Sequence, residues 1–188
     1  MGTEPDERSW AEAMDMYARR LTIAKVTSRE HEDWALDAYT LMHGDTHDPR
    51  GWRTNDPMAE EFERLDDPFH PFVTLPDEPA TTEVWKSHVH EIPRSSAERF
   101  LVALSTPWIN VEKERAFSDR RGELEGKARV ILSRFPDGSH FYANTGGRSA
   151  SLDYYRRLSG WYSFSSYEWD FGLFLVSDTE VGMVWSFR

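Results

Sequence analysis

Cysteine is absent from the 188-residue chain. Its absence excludes disulfides, thiolate-bound zinc, iron–sulfur clusters and thiol nucleophiles, and it agrees with an expected cytoplasmic, reducing location. Long hydrophobic runs are missing too: no stretch approaches the ~18 apolar residues of a membrane span. The opening segment, Met1-Gly2-Thr3-Glu4-Pro5-Asp6-Glu7, is acidic and has no apolar core, so it does not read as a secretory signal. Positive charge is in short supply. Lys and Arg number 22 against 33 Asp and Glu, a net charge of −11. That balance argues against direct nucleic-acid binding, which rests on neutralising phosphates. The strings G-x-S-x-G, G-x-x-x-x-G-K-[ST] and G-x-G-x-x-G do not occur.

Aromatic residues, at 14%, are too many for a disordered chain. The length suits one domain over residues 1–188 with a real hydrophobic core. Its first part, 1–82, reads as helical, Pro-rich and acidic; its second, 83–188, as sheet-rich. Residues 1–100 hold 22 acidic and 11 basic side chains, and residues 101–188 hold 11 of each, so the net charge resides in the first half.

Three segments place a hydroxyl three residues before a Glu, the spacing of a capping box: Ser9/Glu12, Thr27/Glu30 and Ser95/Glu98. Apolar residues follow each at helical spacing, which predicts three helices. A fourth is predicted from Asp56 as N-cap and Pro57 at the first position, burying Met58, Phe62 and Leu65. Asp66 to Pro79 holds four prolines and is expected to be extended. Strands are predicted at Glu83–Ile92, Lys127–Phe135, Ser139–Asn144, Trp161–Ser165, Trp169–Ser177 and Val181–Phe187, with a hairpin at Pro136-Asp137-Gly138 and a short helical turn at Ser151–Leu158. The expected class is α+β: an antiparallel sheet of about five or six strands, helices packed mainly on one face, and a helical N-terminal half.

Two functional readings of different kinds follow. In the first, Glu60, Glu61, Glu63, Asp66 and Asp67, continued at Asp77 and Glu78, form a carboxylate array that mimics phosphates and attracts a basic protein. The chain would then be a non-catalytic interaction protein, an acidic inhibitor or immunity-type binder. In the second, it is a small enzyme or ligand-binding domain. Its pocket on the sheet would use Trp161, Tyr167 and Trp169, with Arg148 of Gly146-Gly147-Arg148 meeting an anion. His88 and His90, read as positions i and i+2 of one strand, would point to one face about 6.5–7 Å apart. With His140 they could hold a divalent metal ion. No other cofactor is implied. His43-Gly44-Asp45-Thr46-His47-Asp48 offers four further potential ligands, but it reads more simply as a helix end and turn.

Overall fold

Helices predominate in the first half of the chain, with two strands set among them, before the sheet is completed. The computed structural model describes residues 4–76, 79–146, 153–156, 158 and 160–188. In chain order they form α1 (Glu7–Met14), β1 (Thr22–Ser28), α2 (Trp34–Met42), α3 (Phe62–Asp66), α4 (Pro79–Lys86), β2 (His90–Ile92), α5 (Arg94–Leu104), α6 (Phe117–Ser133), β3 (His140–Ala143), β4 (Asp170–Val176) and β5 (Glu180–Phe187). The five strands make one antiparallel sheet in the order β1-β5-β4-β3-β2. The class is therefore α+β. No described helix is long and apolar enough to cross a membrane.

The two central strands, β4 and β5, are buried at every residue because both faces of the sheet are covered. On one face Ala24, Val26, Phe141, Leu173, Leu175 and Val184 pack against α1, α5 and α6. On the other, Ile23, Phe174, Met183 and Trp185 pack against α2, Trp85 of α4, Phe72 and Phe164. The greater length of helix lies on the first face. The second is closed by two shorter helices and by the Pro-rich segment, which buries Phe72. Trp185 lies across its cross-strand partner Gly172, where any side chain would collide with the indole.

Several local predictions need correction. Helix α1 is capped by Asp6, whose carboxylate accepts from the Ser9 backbone N–H at 2.7 Å while Ser9 Oγ accepts from the Asp6 N–H. The start lies three residues before the predicted cap at Ser9. Thr27 and Ser28 do not begin a helix; they end β1, and the next helix is capped by Asp33. Residues 83–86 belong to α4, where Thr82 and Trp85 turn inward at helical spacing. Lys127–Phe135 is mostly the end of α6, which buries Leu124, Ala128, Ile131 and Leu132. Pro136-Asp137-Gly138 therefore joins a helix to a strand and not two strands. Trp161–Ser165 is no regular strand; its ladder pairing is limited to isolated bridges, Trp161 with Thr145 and Ser165 with Phe72. Asp170 holds it there, accepting from the Phe164 and Ser165 backbone N–H groups at 2.9 and 2.6 Å. Of the predicted turn at Ser151–Leu158, the described part is a turn at Asp153–Arg156.

One buried charge ties these layers together. Arg134, the residue that ends α6, has a fully buried side chain. Its guanidinium donates to Asp48 Oδ2 and Oδ1 at 2.7 and 3.0 Å and to Glu180 Oε1 and Oε2 at 2.8 and 3.0 Å. The indoles of Trp10 and Trp52 lie 4.7 and 5.1 Å from it. Burial pushes the Glu180 carboxyl up, but the hydrogen bonds and charges of Arg134 and Arg50 outweigh it and hold Glu180 below the ordinary glutamate value. Arg134→Met removes the cation and strands two buried carboxylates, and urea unfolding is expected to show a loss of about 3–5 kcal/mol. Because the folded-state value of Glu180 is depressed, its contribution is complete above the unfolded value and fades as pH falls below about 4.3. Gly122 and Gly126 lie inside α6 with open space where a Cβ would stand. Gly122→Ala and Gly126→Ala are each expected to raise stability by about 0.5–1 kcal/mol in the same measurement.

Candidate functional site

Segment 59–68, which contains α3, is exposed at every residue except Arg64. Arg64 points inward and bonds Asp56 at 3.1 and 3.4 Å and the His70 carbonyl at 2.9 Å. Asp56 also pairs with Lys25 of β1 at 2.7 Å, so the three side chains form a buried ionic cluster. Burial pushes the Asp56 carboxyl up, yet Lys25 and Arg64 more than compensate and hold it below the usual aspartate value. Burial in turn pushes the Lys25 ammonium below its usual value, partly offset by Asp56. Gly44 completes the seat, because a side chain there would collide with the Arg64 guanidinium.

With Arg64 anchored, the rest of α3 must face out. Phe62 and Leu65, three residues apart and so on neighbouring positions of the helix surface, are 73% and 80% exposed. This overturns the expectation that both are buried. Of the three apolar residues predicted there, only Met58 reaches the core. It does so from a turn in which Asp56 Oδ1 accepts the Met58 N–H, not from a helix. Around the exposed pair stand Glu60, Glu61, Glu63, Asp66 and Asp67, all exposed. Among the described residues none of these five carboxylates has a cationic partner within ion-pair distance. Tyr167 borders this surface. Its hydroxyl meets Met58 Sδ at 4.0 Å, and burial, then the charges of Glu61 and Glu63, raise its pKa. Asp77 and Glu78 lie outside the described residues, as does Arg148.

The predicted histidine site does not assemble. His88 lies in the turn after α4, not on a strand with His90, and its ring stacks on Tyr162 at 3.5 Å. Burial lowers its pKa. His90 pairs with Ala143, whereas His140 pairs with Val176 and its Nδ1 contacts Glu91 Oε1 at 2.7 Å. Alternation along the strands puts His90 on the opposite face of the sheet from Glu91 and His140. Among the described residues no three His, Asp or Glu side chains are grouped to hold a metal ion. In the His43–Asp48 cluster, Asp48 is engaged by Arg134. The predicted aromatic pocket divides. Trp161 and Trp169 lie together, 5.5 Å apart, against the α1/α5/α6 face, while Tyr167 packs on Phe187 across the sheet.

The outward turn of Phe62 and Leu65 is what the sequence reading missed. The local signal available was the shortness of the helical segment and the charge on both sides of each apolar residue. Phe62→Ser with Leu65→Ser is expected to leave the urea midpoint within about 0.5 kcal/mol of the parent, since neither side chain is buried. Arg64→Ala is expected to lower stability by about 1–3 kcal/mol, because Asp56 loses a charged donor. Comparison with known proteins finds no matching family model, no matching curated protein and no matching solved structure.

Proposed function

We propose that this protein is a non-catalytic binder of a basic protein, and that α3 with its flanking carboxylates is the contact surface. The supporting observation is the arrangement around Arg64: two large apolar side chains held outward, ringed by five carboxylates without cation partners among the described residues. Each component has a distinct role. Unpaired carboxylates attract a basic partner from beyond contact distance and raise its association rate. Phe62 and Leu65 then supply apolar area, and each contributes roughly 1.5–3 kcal/mol if fully covered. An apolar centre with a charged rim is the division of labour found in protein interfaces. An inhibitor or immunity-type role, in which an acidic surface occupies the nucleic-acid-binding face of a basic partner, fits this chemistry.

The test uses the immobilised full chain, incubated with native lysate at about 50 mM and about 500 mM salt, where screening lengths are near 14 and 4 Å. Captured proteins are identified by mass spectrometry. Three forms are compared: the parent, Phe62→Ser/Leu65→Ser, and Glu60→Lys/Glu61→Lys/Glu63→Lys. The expected result is a basic protein held by the parent at low salt, weakened at high salt, and lost from both variants. Equal capture by all three forms, or capture indifferent to salt, would sink the proposal.

A further inference from the structure

The chain turns sharply after α5. Trp108 and Ile109 both adopt the left-handed backbone conformation, with φ of 65° and 52°. Neither is glycine, and for a β-branched residue such as Ile109 this conformation is an outlier. It persists because Ile109 and Val111 are buried in the core on the α5/α6 side. Trp108 is turned outward as a result and is 51% exposed. Its ring lies against the guanidinium of Arg188, which also stands 5.3 Å from the Trp169 ring.

Trp108, Ile109 and Arg188 are common to two cavities, of about 310 and 580 Å³. The smaller lies between Trp108 and the end of β5. Its apolar lining includes Leu21, Leu104 and Phe187, and its charged residues are Arg19, Arg20 and Arg188. No acidic side chain lines it among the described residues. Arg20 is engaged, donating to the Ser105 carbonyl at 2.7 Å and standing 3.6 Å from Glu114. Arg19 and Arg188 have no carboxylate partner among the described residues. In a chain of net charge −11, three guanidiniums around a cavity lined by no acidic side chain among the described residues run against the average field of the molecule. The hydroxyls lining the cavity are satisfied: Thr22 Oγ1 and Ser186 Oγ are 2.8 Å apart, and Ser186 Oγ donates to the Leu104 carbonyl. Recognition must therefore come from the apolar lining, the indole and the cations. The larger cavity is lined by Glu112 as well as Lys113 and Arg188, so the smaller one is the more strongly cationic of the two.

We propose that the smaller cavity binds a small organic anion with an aromatic body. The ligand ring lies against Trp108 and the apolar lining, and its anionic group is met by Arg19 and Arg188. Guanidinium accepts carboxylate and phosphate alike, so the anionic group can be either.

The full chain is titrated calorimetrically with 2-naphthoate, phenyl phosphate, the neutral 2-naphthylmethanol and inorganic phosphate. Saturable one-to-one binding of at least one aromatic anion is expected, with the neutral alcohol and inorganic phosphate about tenfold weaker or worse, a difference that one charge-assisted contact supplies. Arg19→Gln/Arg188→Gln should weaken the anion about tenfold and leave the weak binding of the alcohol unchanged. Both arginines are exposed, so the variant is expected to fold, and its melting temperature checks that. Trp108→Ala should weaken the aromatic anions and not inorganic phosphate. Phe62→Ser/Leu65→Ser should bind them as the parent does, which keeps this outcome separate from that of the α3 surface. The proposal is overturned if neither aromatic anion binds, if the alcohol or inorganic phosphate binds as tightly, or if the arginine variant binds like the parent.

Discussion

A guanidinium with no access to water must be matched by its surroundings or the fold does not close. Arg134 meets that constraint with two carboxylates and two indoles drawn from distant parts of the chain. Desolvating such an ion costs several kcal/mol, and only good geometry with all its donors engaged offsets that. The cluster therefore fixes positions as much as it adds stability. It sets the end of α6, the loop after α2 that carries Asp48 and Trp52, the first residue of β5, and Trp10 of α1. Both faces of the sheet hang on that agreement, because α6 covers one face and α2, just before Asp48, covers the other. The same solution recurs at Lys25, Asp56 and Arg64. Arg134, Lys25 and Arg64 are matched by Asp48, Glu180 and Asp56, three interior cations to three carboxylates.

The strands that were legible in the sequence are those whose pattern has one reading. β4 and β5 are dense in aromatic and β-branched residues and are separated by an evident turn, and β3 follows another. Where a short segment satisfies two patterns, the sequence alone misleads. Thr27 and Glu30 have the spacing of a capping box, but Thr27 is paired with Val181 in the sheet. The free edge of β5 needs a partner, and that tertiary demand overrides a local signal of modest energy. In α6 the apolar face is one of small and widely spaced residues, Leu124 and Ala128 before Ile131 and Leu132. Two glycines and a run of charge obscure it. The segment before His90 has both alternating and helical readings, and the burial of Thr82 and Trp85 selects the helix.

The candidate surface was legible in charge and illegible in direction. Five carboxylates within eight residues can be counted without a structure. Whether Phe62 and Leu65 face in or out depends on Arg64, whose partners come from β1 and from the turn at Asp56. No local pattern carries an ion pair of that kind. The histidines failed for a related reason. His88 and His90 share a face only if both lie on one strand, and the chain passes from a turn into β2 between them.

The α3 surface and the Trp108 cavity share a manner of construction. Each has a residue driven inward by a strong requirement, ionic for Arg64 and apolar for Ile109, and each thereby holds large apolar neighbours in solvent. An exposed ring on a freely rotating segment loses conformational entropy when it is covered, which weakens binding. Here that ordering has been done by folding: the anchors set the direction of Phe62, Leu65 and Trp108 before anything binds. The charges around each anchor have opposite signs, carboxylates around α3 and guanidiniums around Trp108. If both proposals hold, a basic partner would be drawn to α3 and repelled by the arginine-lined cavity, an anion would experience the reverse, and the two surfaces would not compete for the same class of ligand.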